Sequence, residues 1–237
     1  MTLNPNGACV TPNELWPDER ERQQMEQMIE RIIVGHYQTS TAALHARSIF
    51  TDPGDATGPD KCIKWLSQNT SDQSINTAKM RAGYDAKLYA VPDIISARDP
   101  FASSEYYEIK PDSNNGRREG QGKITRFNRL IKDFHLRLAA GHEYDPIRSS
   151  PFPSSISIGG ATYDLELKWW QETRGLILYE ICYQKRQEQE QEQTSHAGEA
   201  LLLLLGVALA IMLGMGARGA GWQPAGGLVG PGHGPEA

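Results

Sequence analysis

The sequence predicts an α+β domain, or an α/β domain with a mixed sheet, in which helices pack on a central sheet. Three observations carry that expectation. Met25, Met28, Ile29, Ile32 and Ile33 recur at helical spacing from Asp18 onward. Ile124, Phe127, Leu130, Ile131, Phe134 and Leu138 form one apolar stripe across residues 117–138. In 162–169, Tyr163, Leu165, Leu167 and Trp169 alternate with polar residues, and 176–183 is an almost unbroken apolar run. Period 2 marks a half-buried strand, and the two segments flank a short turn, so they predict a hairpin.

Taken in order, residues 1–17 read as an irregular lead-in to a domain spanning 18–183. "TDPGDATGPD" (51–60) is dense in Gly, Pro and Asp and reads as a loop. Helical character resumes at 61–67 and 73–88; "YAVPDIIS" (89–96) and "EYYEIK" (105–110) read as strands. "PDSNNG" (111–116) is a turn before the amphipathic helix, and 141–155, which holds three prolines, reads as a loop. After Tyr183 the composition changes: 184–199 is a polar Gln/Glu-rich linker. Residues 200–217 hold 18 residues without a charge, close to the roughly 20 that span a bilayer, and predict a transmembrane helix. Residues 218–237, rich in Gly and Pro, read as a disordered tail.

The net charge of −5 averages unequal parts: residues 105–137 hold eight Lys or Arg against five Asp or Glu. An anionic ligand is drawn to that segment rather than to the whole chain. The three cysteines, Cys9, Cys62 and Cys182, form no CxxC pair and read as free thiols in a reducing compartment. The N-terminus lacks a basic flank followed by an apolar run, so no cleaved signal is expected. Localisation is then cytoplasmic, or membrane-associated through 200–217. The six histidines show no HxH or HExxH spacing, which argues against zinc.

The chemistry concentrates in "YYEIKPDSNNGRREGQGK" (106–123). Glu108 and Lys110 are two apart on a strand and therefore share a face. They form either a surface ion pair or half of a metal site. Asp93, in "VPDII", precedes Glu108 by fifteen positions, and two neighbouring strands bring the carboxylates together. Adjacent carboxylates repel unless a proton or a cation intervenes. Mg²⁺ suits such oxygen ligands, and a neighbouring lysine suits the handling of an attacking water.

Pro92-Asp93 followed by Glu108-Ile109-Lys110 resembles the signature of the PD-(D/E)xK nuclease superfamily, the restriction-endonuclease-like enzymes. The surroundings resemble it too: a helix before, two strands carrying the motif, an amphipathic helix and further strands after. The resemblance implies a restriction-endonuclease-like core, Mg²⁺ or Mn²⁺ held by Asp93 and Glu108, and a water-handling Lys110. Some members add a Gln from the helix after the motif, which Gln121 matches, or a Glu from the first helix, which Glu26 or Glu30 matches.

Phosphodiester hydrolysis follows as the expected activity, on DNA more than RNA. Arg117, Arg118, Lys123, Arg126 and Arg129 supply phosphate contacts along the basic helix. A bacterial toxin or effector, neutralised by an immunity protein, fits such an enzyme. The alternative is a non-catalytic, membrane-tethered interaction protein on a nuclease-like fold.

Overall fold

A computed structural model describes residues 8–52, 54–70, 75–99, 103–158 and 160–186. The chain's contacts divide into two units, Met1–Arg186 and Gln187–Ala237, and every described element lies in the first. The elements run β1 (Cys9–Val10), α1 (Pro12–Leu15), α2 (Glu19–Thr39), α3 (Thr41–Leu44), β2 (Ala46–Thr51), α4 (Gly58–Asn69) and α5 (Thr77–Asp85). There follow β3 (Ile94–Arg98), β4 (Ser104–Pro111), α6 (Asn114–Asp133), β5 (Leu138–Ala140), β6 (Ile147–Ile158), β7 (Ala161–Thr173) and β8 (Leu176–Lys185). This is a mixed α/β arrangement: a mixed sheet of order β2-β3-β4-β8-β7-β6, with helices on both faces.

The helices form for the reasons that their sequences give. Asp18 caps α2 by accepting the Glu21 N–H, and Ile29, Ile33 and Tyr37, four apart, bury one face. Ser113 caps α6 by accepting the Gly116 N–H, and Gly116, Gly120, Ile124, Phe127 and Leu130 face the sheet. Two cores result. Ile29, Ile33 and Tyr37 of α2 pack on Tyr107, Ile109, Trp169, Ile177, Tyr179 and Ile181 on one face. On the other, α4, α5 and α6 place Leu66, Met80, Ile124, Phe127 and Leu130 against Ile95, Tyr106 and Leu178. β8 is buried on both faces, which explains its unbroken apolar run.

β4 is the strand on which the sheet turns. It is antiparallel to β3 and parallel to both β5 and β8. Ser104–Tyr106 pair with β5, and Glu108–Pro111 pair with β8. β4 therefore changes parallel partner between Tyr106 and Glu108. Gly175, at φ 75°, closes the two-residue β7–β8 turn, and its carbonyl accepts the Glu108 N–H at 2.8 Å.

Several expectations need correction. Residues 147–158 form strand β6, not a loop; Pro151 and Pro153 fit because β6 ends the sheet order, where a missing N–H costs no ladder bond. β2 and β5 were not foreseen, the 89–96 strand begins only at Ile94, and α4 begins inside the expected loop, at Gly58. Within the described part of the lead-in, residues 8–17, Thr11 and Glu14 form a capping box for α1, and Trp16 is buried against Phe152. Nor are all three cysteines free. β1 pairs with β8 in a register that sets Cys9 opposite Cys182, and the two form a disulfide; only Cys62 is a free, buried thiol.

Among the described residues no helix is long and apolar enough to cross a membrane. Residues 187–199, 200–217 and 218–237 lie outside the described part.

Helix α6 approaches the sheet closely because position 120 has no side chain. A Cβ there would lie 2.6 Å from Leu176 Cδ1 and 3.1 Å from Lys110 Cγ, whereas one at Gly122 meets nothing within 4 Å. Gly122→Ala is therefore expected to raise stability by up to about 1 kcal/mol, the gain of alanine over glycine in an open helix. Gly120→Ala is expected to lose stability despite the same gain, since overpacking costs on the order of 1–3 kcal/mol. Urea unfolding of the two variants checks the opposite signs.

Candidate active site

The β3–β4 ladder pairs Ile94 with Tyr107, which sets Asp93 level with Glu108 one step further out. Asp93 Oδ2 accepts the Ile109 N–H at 2.6 Å, fixing its carboxylate on β4. Its own carbonyl accepts the Asp52 N–H at 3.0 Å, which ties the end of β2 to the same place. Glu108 and Lys110 lie on one face, with Lys110 Nζ 2.9 Å from Glu108 Oε1. Lys123 reaches in from α6: its Nζ is 2.9 Å from Glu108 Oε1 and 3.7 Å from Asp93 Oδ1. The two carboxylate oxygens are thus no further apart than these two distances laid end to end.

Glu108 is sealed from solvent at 1% exposure, and neither of its oxygens meets hydrogen-bond geometry with any group. The Lys110 and Lys123 ammonium groups approach Oε1 at ion-pair distance without that geometry. Burial, then the charge of Asp93, pushes the Glu108 carboxyl up to about 7, against the opposing pull of Lys110 and Lys123. Glu30, on α2, belongs to the same field: burial and Asp93 raise it to about 8. Asp52 is also raised, chiefly by burial. Burial lowers Lys110, but Asp93, Glu108 and Glu30 together outweigh it, so its ammonium titrates above the ordinary lysine range.

Two clefts flank the carboxylates. One of about 270 Å³ is lined by Gln27, Glu30, Arg31, Thr51, Asp52 and Asp93 among others. The other, of about 410 Å³, is lined by Lys110, Glu119, Gly122, Lys123 and Arg126. The first is acidic and the second is rimmed by cations.

The donors that converge here are carboxylate oxygens, with no thiolate or imidazole among them. That set suits a hard divalent ion such as Mg²⁺ or Mn²⁺, and the Glu108 oxygens, which have no aligned hydrogen bond, fit its demand for ligands. Elsewhere, Glu105, His142 and Glu143 bring potential ligand atoms within 4.8 Å of one another, which the Asp93 and Glu108 set does not do as a group of three among the described residues. The Glu105 cluster is satisfied internally: Arg98 pairs with Glu105 at 3.3 Å and with Glu143 at 2.5 Å, and Tyr107 donates to Glu105 at 2.7 Å.

The predicted site residues divide sharply. Asp93, Glu108 and Lys110 come together. Gln121 does not: it is exposed, and Lys123, two positions on and so on a different side of the helix, is the α6 residue that enters the site. Lys123 is accordingly held by carboxylates, not open on the surface for phosphate. Arg117 is likewise taken, by Asp112 at 2.6 Å and by Glu172. Arg129 pairs with Asp133 at 3.8 Å, and Arg118 donates to the Asn115 side chain at 2.7 Å. Arg126 is exposed and lines the cationic cleft. The sequence reading missed Asp52, hidden in a segment that looked like an ordinary Asp-rich loop. Of the two first-helix candidates, Glu30 lines the acidic cleft, while Glu26 is raised mainly by burial and feels Lys110. Comparison of the chain with protein-family models, characterised proteins and solved structures finds no match.

The raised carboxyls make a pH prediction. Glu30 and Glu108 titrate near 8 and 7 in the folded protein against 4.5 ordinarily, so the folded state binds more protons across that window. The stability that they contribute is full below about 4.5 and is lost as pH rises toward 8. Glu30→Gln removes one of these groups. In EDTA its stability relative to the wild type is expected to improve steadily from pH 4.5 to 8, measured by urea unfolding.

Proposed function

We propose that the chain is a divalent-metal-dependent nuclease that hydrolyses phosphodiester bonds, in DNA more than RNA, on a restriction-endonuclease-like core. The observation that carries this reading is a sealed carboxylate, Glu108, held only by the Lys110 and Lys123 ammonium groups among the described residues, beside Asp93 on the adjoining strand. In support, helices precede β3 and β4, which carry the motif, and the amphipathic α6 and further strands follow them. A biological role as a toxin or effector with an immunity partner, and tethering through 200–217, belong to the same proposal.

Asp93 and Glu108 would hold the cation, with the Glu30 and Asp52 carboxyls lining the cleft beside Asp93. When bound, such an ion would supply the lowered pKa of a coordinated water and the charge that offsets the phosphoryl oxygens. Lys110 stays protonated at neutral pH, so it orients the attacking water and donates to it or to phosphate rather than removing a proton. Asp93 is kept in register by the Ile109 N–H, which holds one oxygen and leaves Oδ1 facing Lys123. Arg126, on the rim of the cationic cleft, gives the backbone of a nucleic acid an electrostatic contact.

One observation favours a second reading. Lys110 and Lys123 match the charges of Asp93 and Glu108 one for one, as a buried structural ion-pair cluster would. In that case the domain is a non-catalytic interaction module.

Supercoiled plasmid incubated with the full-length chain separates the two. Cleavage in Mg²⁺ and none in EDTA is expected. Asp93→Ala and Glu108→Ala should each lower the rate by about a hundredfold or more, with loss of metal binding. Lys110→Ala should lose cleavage while keeping metal binding, because an ammonium is no ligand. Intact plasmid in Mg²⁺ and in Mn²⁺, or full activity in Glu108→Ala, would contradict the nuclease reading.

A further inference from the structure

Lys123 has a position that neither the motif nor the basic-helix reading assigned to it. Its Nζ stands within reach of both motif carboxylates, 2.9 Å from Glu108 and 3.7 Å from Asp93. Those are the groups that a cation would share. Asp93 and Glu108 carry two negative charges, and Lys110 and Lys123 carry two positive ones. Lys123 Nζ already touches the oxygens of both carboxylates, so a divalent ion shared by them would meet that ammonium at contact distance, and one ammonium must withdraw.

The surroundings decide which one. Lys110 is 13% exposed and its stem is pinned beneath α6, where even a Cβ on Gly120 would come within 3.1 Å of its Cγ. Lys123 is 29% exposed and opens onto the cleft of about 410 Å³ that it shares with Lys110, Gly122 and Arg126. Swinging out, its ammonium meets a wall that already bears two other cations and one carboxylate, Glu119. Only an anion settles it there, and one phosphate group can bridge ammonium and guanidinium donors.

We propose that Lys123 is an exchangeable counter-ion: it neutralises Asp93 and Glu108 until a divalent ion takes its place, and then turns to bind the phosphate of the nucleic-acid substrate. The proposal rests on the nuclease reading for the identity of the anion, but not for the competition itself. It gives Lys123 opposite effects on two ligands. Against the metal it competes; toward the phosphate it contributes. A purely structural lysine would move both affinities in the same direction, through loss of order.

The test uses the full-length chain and two variants, Lys123→Ala and Lys123→Met, the second keeping an apolar stem over the sheet in case the first fails to fold. Mn²⁺ alone is titrated into each and followed by electron paramagnetic resonance. Both variants are expected to bind Mn²⁺ about tenfold more tightly than the wild type, from removal of one like charge at contact distance. With Ca²⁺ saturating, binding of a duplex oligonucleotide is expected to weaken several-fold in both. Mn²⁺ affinity that is unchanged or weaker in the folded Lys123→Met variant overturns the proposal, as does a wild type that binds no Mn²⁺. Unchanged oligonucleotide affinity overturns the phosphate half of it. If the Mn²⁺ shift occurs but plasmid stays intact, the nuclease reading fails and the competition stands. If plasmid is cut in Mg²⁺ and the Mn²⁺ shift is missing, the reverse holds.

Discussion

The burial of one carboxylate organises this domain. Glu108 sits on β4 at 1% exposure, where water cannot solvate it and where no hydrogen-bond donor is correctly aimed at either oxygen. An isolated charge in such a place is costly enough that a protein neutralises it or pairs it. The chain responds with two lysines from different elements and with a carboxyl pushed toward neutrality. A fold selected for stability alone would place an apolar residue here, since replacing a buried ion pair by well-packed hydrophobic side chains is often stabilising. The arrangement makes sense if the acidic group is needed for something that approaches from outside.

Everything that holds Glu108 in place also shapes the clefts beside it. β4 exchanges its parallel partner β5 for β8 immediately before Glu108, so the strand ends in a seam where backbone from β3, β4 and β8 converges. In open α/β sheets such switch points are where crevices form. Gly120 lets α6 come close enough for Lys123 to cross into the seam. On the opposite face, α2 brings Glu30 over the same point, and the Asp52 N–H bond to Asp93 draws in the end of β2. The acidic cleft and the cationic cleft are thus two openings to one set of charges.

How much of this could be read in the sequence differs by type of signal. Strong periodicity located α2, α6, β7 and β8, because each buries a defined face and its composition records that face. β6 was illegible because an edge strand tolerates the prolines that normally exclude a strand. β5, at three residues, is too short to leave a pattern. The disulfide was hidden by a separation of 173 residues, since nothing local tells that β1 will lie beside β8. For the site, Asp93, Glu108 and Lys110 were legible from their order and strand spacing. Lys123 was misassigned because a helical stripe separates buried from exposed faces but not which boundary residue turns inward. Asp52 was missed because its role depends on a backbone contact with Asp93 rather than on any motif.

The most direct test of the account is a crystal of the full-length chain soaked in Mn²⁺ and measured at the manganese absorption edge. An anomalous peak bound by Asp93 and Glu108 is expected, with oxygen ligands at about 2 Å and with Lys123 displaced from Glu108. A well-diffracting crystal with no peak there, or with manganese only at Glu105, His142 and Glu143, would contradict it.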